Sequence, residues 1–461
     1  MKRTLAREAA AACGGHLVGN PEASFCGVVR DNRDAFPGCL FAAIVGEVQD
    51  GHKYLADAIF RGATVALVKE GNPYLAQLVP DDNGAFILVD DTVRAMQDLA
   101  KHYRDSFRIP FVGVTGSVGK TSTKDLCAAA LSGRFRVKKT AGNYNNQIGV
   151  PLTLFGLEED TEAAVVEMGM DHAGQIDYIS TLVRPDLAVI TNIGISHIEN
   201  FEDREGILHA KLEIINHMNP EGTLFLCGDD SRLWKLRGTL PVRTEYYGFG
   251  EQNDARVLET ALTPGGRLRV IASYRGEEYR YVLNTLGDHM AGNSLPGIMA
   301  GLHLGLTKNE IVMGLTQFVP TEKRLQLRES ARYYVIDDSY NASPDSMRSA
   351  LRTLEQMDRG KRHVAVLGDM FELGSQETEG HRLVGRLAAE SERLELVLFV
   401  GSRMALAYDE ARSAGSNCRW FESVAALEEA LPALLQDGDA ILVKASHGMH
   451  FDGVCSFILE Q

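Results

Sequence analysis

Short apolar runs alternate with amphipathic stretches along the chain, a rhythm that predicts strands feeding into helices. Residues 40–45 read as a strand, 54–61 as a helix and 63–68 as a strand, with turn glycines at 46, 51 and 62. Residues 110–114 are a mostly apolar run, short enough to be a buried strand, and 163–166 and 187–191 repeat the pattern. A helix predicted over 205–218 carries Ile207, Leu208, Leu212 and Ile215 on one stripe. From 244 to 285 the alternation is that of antiparallel strands, with Gly265-Gly266 as a turn, and an apolar helix follows over 295–304. Beyond about 321, predicted strands at 333–336, 364–367, 394–400 and 440–443 alternate with helices. Ser343 then Pro344 mark one helix start, a capping hydroxyl followed by proline at the first helical position.

The chain is organised around residues 110–125, PFVGVTGSVGKTSTKD. A strand, the turn Thr115-Gly116-Ser117-Val118-Gly119 and a helix opening at Lys120-Thr121 together form an anion site. Backbone N–H groups converge on a phosphate, the helix dipole favours negative charge, and glycines let the backbone approach. Lys120 is expected at the β- and γ-phosphates and the Thr121 hydroxyl on Mg²⁺. The strict P-loop pattern asks for glycine at 114, where this chain has Val114. The motif reads as a shortened P-loop, against the alternative of an ordinary glycine turn.

Other polar clusters lie at predicted loop ends. Thr140 to Gln147 is dense in amides and suits a polar substrate or an ordinary surface loop equally. Glu167 and His197 follow predicted strands, where open α/β sheets bind ligands, and Glu167 offers a hard oxygen to Mg²⁺. A histidine at a strand end is also often structural. Lys211, inside the predicted helix, reads by default as a snorkelling surface lysine. Asp31-Asn32-Arg33 and Asp50-Gly51-His52 read as solvated turns on composition alone.

Length and composition narrow the class. A chain of 461 residues suggests about three domains, and 45% hydrophobic with 24% charged residues is a globular balance. A net charge of −15 argues against a nucleic-acid or membrane binder, so anionic substrates need local positive sites. Seven scattered cysteines without a C-x-x-C spacing fit a reducing cytosol rather than a disulfide or zinc framework. No stretch approaches the ~18 apolar residues of a membrane helix.

Taken together, TGSVGKTSTKD, GNYNNQIGVPLTL, VVEMGMDHAGQID, ITNIGISHIENF, AKLEI, DDSYNASPDSM, VLGDMFELG and LVKASHGM resemble the Mur ligases of peptidoglycan synthesis. The resemblance runs in the family's order from about residue 28 to 453. It implies an α/β fold of three domains. These are a small UDP-sugar-binding N-terminal domain (1–105), a central ATP-binding P-loop domain (106–320) and a C-terminal Rossmann-like domain (321–461). The central one is expected to hold a parallel sheet plus a small antiparallel sheet.

The implied activity is ATP-dependent joining of D-alanyl-D-alanine to UDP-N-acetylmuramoyl-tripeptide, with two Mg²⁺ ions, in a cytoplasmic monomer. Thr121, Glu167, His197 and Lys211, the last as a carbamate, are the implied metal ligands. Asn293 is the implied adenine contact, Arg324 the arginine at the terminal phosphate and Asp338 the ribose- or phosphate-side aspartate. Asn143, Asn145 and Asn146 are implied to face the UDP-sugar peptide, and Asp31, Arg33, Asp50 and His52 belong to the implied uridine region. The chain departs from the family's pattern at Asn32, Met290 and His447, the last standing where an arginine is usual. Another amide ligase of the same fold, a P-loop switch and a non-catalytic homologue are the alternatives that the motifs leave open.

Overall fold

Three open sheets divide the chain. In the computed structural model, which describes residues 1–46, 48–75 and 78–461, the first sheet has five strands. Its order is His16–Gly19, Ala85–Val89, Ala63–Lys69, Cys39–Ala42 and Val28–Val29. The nine-stranded second sheet is ordered Glu277–Leu283, Leu268–Tyr274, Ala255–Leu262, Arg243–Gly248, Thr223–Cys227, Leu187–Ile190, Phe111–Thr115, Ala163–Glu167 and Val137–Lys139. The third, of six strands, runs Gln326–Glu329, Tyr334–Asp337, Asp439–Lys444, Arg362–Gly368, Leu394–Val400 and Cys418–Phe421. The fold is the α/β class expected.

Every residue of Phe111–Thr115 is buried. Such a continuous apolar run suits a parallel strand covered on both faces. Val112 and Val114 pack towards Leu126, Cys127 and Ala130 of the following helix, while Phe111 faces Val166 and Ala188 in a second cluster. The register places functional positions side by side: Glu167 is opposite Val114, and Ile190 is opposite Thr115. All three strands are parallel, so their carboxyl ends open on one edge.

The strands expected between 244 and 285 do not form a sheet of their own. Arg243–Gly248 runs parallel to Thr223–Cys227, and the three strands after it continue the same sheet, the last two pairings antiparallel. In Leu268–Tyr274 every second residue is buried, the period-2 pattern of a sheet with one covered face. That pattern specifies the strands, but edge-to-edge joining is decided by tertiary packing under helix His289–His303. The helix expected over 205–218 is shorter. It spans Arg204–Leu212, capped by the Asp203 carboxylate, and tightens into a 3₁₀ turn at Glu213–Ile215.

Helix Thr92–Asp105 binds the first sheet to the second. Asp91 caps it by accepting from the N–H groups of Val93 and Arg94. Its Ala95, Met96, Leu99 and Tyr103 join one apolar cluster that extends from Ala6 to Tyr246. The Tyr103 hydroxyl donates to the Leu157 carbonyl at 2.7 Å, so its buried polar end is satisfied. The third sheet has its own clusters on its two faces. Helix Pro344–Glu355 packs there, with Ser343 as its cap and Met347, Leu351 and Leu354 buried.

Helix His289–His303 presents its first turns to the phosphate loop and is anchored at its far end. Glu245 accepts from His303 at 3.1 Å, from Arg275 at 3.0 Å and from the Tyr274 hydroxyl. Burial pushes the Glu245 carboxyl up, but the hydrogen bonds from His303 and Tyr274 and the nearby positive charge outweigh it and hold it at about 2. A carboxylate depressed from an ordinary 4.5 contributes stability above about pH 4.5 that is lost as pH falls through 2. The full effect is on the order of 3 kcal/mol. Glu245→Gln is expected to lower the urea midpoint at pH 7, and its gap from the unsubstituted protein is expected to close between pH 4.5 and 2.

Candidate active site

The loop Gly116–Gly119 connects strand Phe111–Thr115 to helix Lys120–Leu131. Val114, where the longer motif has glycine, lies inside the strand opposite Glu167 and Val189, so the shortened loop needs no glycine there. Gly116 has φ of +146°, and an added Cβ would collide with Thr191 Oγ1. Gly119 has φ of +84° and lies against Asn293, whose Oδ1 would be 3.3 Å from an added Cβ. Both positions need glycine's left-handed freedom.

The neighbouring strand end staples this loop. Asn192 accepts from the Val118 N–H through Oδ1 at 2.9 Å and donates to the Val118 carbonyl through Nδ2 at 2.8 Å. Thr191 Oγ1 donates to the same carbonyl at 2.6 Å, and Gly194 N–H donates to Ser117 Oγ at 2.8 Å. Neither Asn192 nor Thr191 was singled out from sequence. The signal available was their position at a parallel strand's carboxyl end beside the phosphate loop.

A cavity of about 720 Å³ opens from the loop and is walled by all three sheets' connections. Ser117, Val118, Gly119, Lys120 and Thr121 form its floor, with Asn143, Asn145, Asn146 and Glu167 to one side. Asn293, Arg324 and Asp338 line the other, and His197 lies on the rim shared with Glu372. Thr115 and Gly116 lie beneath the floor, with Thr115 fully buried.

The electrostatics are uneven. Desolvation pulls the Lys120 ammonium below its ordinary range, Glu167 partly restores it and Arg324 lowers it further. In the resting loop Lys120 Nζ donates to the carbonyls of Gly116 and Ser117, at 2.8 and 3.1 Å. Lys211 is only 3% exposed, so it does not snorkel; burial first, and then Lys120, pull its ammonium far below the usual lysine value. Burial, Lys120 and Lys211 hold His197 down at about 4, so it is neutral near pH 7. Its Nδ1 is 3.4 Å from Glu372 Oε2.

Glu167 is the carboxylate that faces these cations. Its Oε1 accepts from Asn145 Nδ2 at 2.9 Å, while Oε2 is buried with no protein partner. An orphaned carboxylate oxygen beside Thr121 fits a divalent cation, because a buried charge left unsatisfied is costly. Among the described residues no three His, Cys, Asp or Glu side chains gather to hold a metal.

On the opposite wall Arg324 stacks over the Tyr340 ring at 4.1 Å, and its Nε has no protein acceptor. Asp338 accepts from Lys444 Nζ at 2.6 Å and from Leu325 N–H at 3.2 Å. Adjacent parallel strands bring this pair together, since Asp337 is opposite Val443. Lys444, which sequence reasoning left unassigned, also donates to the Asn341 carbonyl at 2.8 Å. His447 lines the cavity with its ring 5.7 Å from Tyr340.

The amide loop is held by its neighbours. Asn146 Oδ1 accepts from the N–H groups of Ile148 and Gly149, opening helix Gly149–Phe155, and Gln97 donates to the Gln147 carbonyl at 2.8 Å. Asn143 is exposed on the cavity side. The N-terminal candidates stand apart from the cavity. Asp31 pairs with Arg33 in an exposed turn, which lowers the Asp31 carboxyl to about 2. His52 is 1% exposed; Nδ1 contacts Asp50 at 2.6 Å and Nε2 accepts from Lys69 N–H at 2.8 Å. Both ring nitrogens thus brace the turn, one against Asp50 and one against strand Ala63–Lys69, so His52 is buried and not part of the solvated turn expected from composition.

Profiles described as "Mur ligase middle domain" and "Mur ligase, glutamate ligase domain" match residues 114–301 and 323–447. The UDP-N-acetylmuramoyl-tripeptide–D-alanyl-D-alanine ligase of Bacillus subtilis (strain 168) is 36% identical over 438 residues, covering 94% of this chain and 93% of that protein. The crystal structure of MurF from Acinetobacter baumannii superposes with a TM-score of 0.89 at 30% identity, covering 100% of both chains. MurF from Thermotoga maritima in complex with ADP gives 0.79 at 26%, over 94% of this chain and 97% of that one.

Asn192→Ala removes two of the three hydrogen bonds that set Val118, leaving that of Thr191. It is expected to weaken ATP binding about tenfold, the effect of one to two net hydrogen bonds, as measured by calorimetry.

Proposed function

The chain belongs to the Mur ligase family, and we propose that it joins D-alanyl-D-alanine to UDP-N-acetylmuramoyl-tripeptide with cleavage of ATP to ADP and phosphate. The observation that carries this reading is one cavity lined by the phosphate loop with its desolvated Lys120, by Arg324 and by the amide-rich loop of Asn143, Asn145 and Asn146. That arrangement suits a nucleotide on one side and a polar, anionic acceptor on the other.

A carboxylate is a poor acyl donor. Transfer of the γ-phosphoryl group to the tripeptide's terminal carboxylate gives an acyl phosphate. The dipeptide amine then attacks the acyl carbon, and the tetrahedral intermediate expels phosphate as the amide forms. Lys120 and Arg324 would stabilise the charge that accumulates on the transferring group, a role supported by the desolvation of Lys120 and by an Arg324 Nε without a protein acceptor. Asn293 beside Gly119 would meet the base, and Asp338 the ribose or phosphate side. Asn143, Asn145 and Asn146 would orient the acceptor. Closure of the cavity around the bound substrates would exclude water, which would otherwise hydrolyse an acyl phosphate.

Thr121 and Glu167 would hold one Mg²⁺, and His197 with Lys211 a second. When bound, these ions neutralise charge on the phosphoryl oxygens. Lys211 suits that role as a carbamate. Burial favours its neutral amine, which adds to CO₂ with loss of one proton to give an anion where the site has excess positive charge. A cytoplasmic location would suit nucleotide-linked substrates; no helix among the described residues is long and apolar enough to cross a membrane.

Phosphate release from Mg-ATP is expected only when UDP-N-acetylmuramoyl-tripeptide and D-alanyl-D-alanine are both present, with a pentapeptide product of matching mass. Release with neither would indicate a switch-type ATPase, and glutamylation of a folate in its place another ligase of the same fold. Lys211→Ala is expected to lower kcat by roughly 10²-fold or more and to regain activity with a short carboxylic acid. Near-normal activity without rescue would remove Lys211 from the mechanism.

A further inference from the structure

Nine residues, 317–325, cross from helix Lys308–Thr316 to strand Gln326–Glu329 and carry Arg324. Their C-terminal part is tied to the third sheet's loops. The Lys323 carbonyl accepts from Tyr340 N–H at 3.2 Å, Lys323 Nζ pairs with Asp452 at 3.0 Å, and Leu325 N–H donates to Asp338 at 3.2 Å. The N-terminal part is tied elsewhere. Thr321 Oγ1 donates to Asp125 Oδ2 at 2.5 Å, and Asp125 lies on the phosphate-loop helix, five positions after Lys120.

Asp125 is 2% exposed and well supplied with partners. Its Oδ1 meets Lys139 Nζ at 2.6 Å and Lys124 Nζ at 3.2 Å. Lys124 in turn donates to the Thr140 carbonyl at 2.8 Å, and Thr140 Oγ1 accepts from Glu167 N–H at 3.0 Å. The carboxylate is therefore fixed against the strand that ends in Glu167, and it offers its remaining oxygen to the linker. A buried, multiply held carboxylate is a rigid anchor. Only Glu322 lies between the Thr321 tie and the first of the ties at Lys323, and Lys323 and Leu325, on either side of Arg324, both have left-handed backbones, with φ of +60° and +49°.

We propose that the Asp125–Thr321 hydrogen bond is a positioning device for Arg324: it pins the linker to the phosphate-loop helix, so that Arg324 is delivered to the nucleotide's terminal phosphate. Asp125 and Thr321 are positioning residues, not catalytic ones. The inference rests on the reading of Arg324 given above. It accounts for a charged carboxylate buried on the rear of the phosphate helix, a place where an apolar residue would pack at lower cost.

Affinities of the full-length protein for ATP and for ADP, measured by calorimetry in Mg²⁺ buffer without acceptor substrates, test it. Arg324→Ala is expected to reduce the preference for ATP over ADP by at least about fivefold, the value of a charge-assisted contact. Thr321→Val is expected to reduce it comparably while leaving ADP affinity and the thermal transition unchanged, and Thr321→Ser to retain it. In the Arg324→Ala background, Thr321→Val is expected to change nothing further.

If Arg324→Ala keeps the preference, both the role of Arg324 and the tether fall. If Arg324→Ala loses it but Thr321→Val does not, the tether alone falls. Equal weakening of ATP and ADP by Thr321→Val, or the same added loss in both backgrounds, would show a purely structural contact and overturn the proposal. Thr321 is only half-buried, so this variant does not depend on the folding of a core substitution.

Discussion

Positive charge without enough negative charge around it is the constraint on which the rest of this site depends. Arg324 bears on Lys120 and Lys120 on Lys211, Glu167 is the carboxylate that acts back on Lys120, and both lysines are desolvated. A protein interior does not sustain such an imbalance without a shifted protonation state or an incoming anion. Here both are visible: the lysines are pulled towards neutrality, and the cavity is open to a polyanion. The chain's overall charge of −15 makes the local reversal sharper. Nucleotide binding in such a site is charge completion, and Glu167's unpartnered oxygen marks where a cation can enter with the phosphates.

Placement of these groups is a matter of strand register more than of side-chain choice. Parallel pairing of three adjacent strands brings Val114, Glu167 and Val189 to one level, so the loops that follow emerge side by side. The third sheet repeats the device, with Asp338 and Lys444 following paired strands. A shift of one residue in either sheet would turn these ends towards opposite faces.

Much of this was legible in the sequence because it is written locally. The phosphate loop, the Ser343-Pro344 helix start and the buried strands depend on turn chemistry, capping and apolar runs, and each has a short-range signature. The residue-level partners were not legible. Asn192 gripping Val118 across 74 positions, or Lys444 reaching Asp338 across 106, has no signature within either segment. Lys211 is the instructive case. Helical spacing alone reads it as a surface lysine, and burial by neighbouring elements overturns that reading. His52 runs the other way, a polar turn residue that the fold closes over as an internal brace.

Helix Thr92–Asp105 makes the first sheet and the phosphate-loop sheet parts of one apolar cluster, whereas the third sheet keeps clusters of its own. Cooperativity follows the packing. An opening that disrupts the cluster shared by the first two sheets is expected to loosen the packing beneath the phosphate loop, whereas one confined to the third sheet's far face is expected to leave Gly116–Gly119 in place. Selection for stability in the first sheet is therefore also selection on phosphate binding, although no side chain of that sheet's strands lines the cavity.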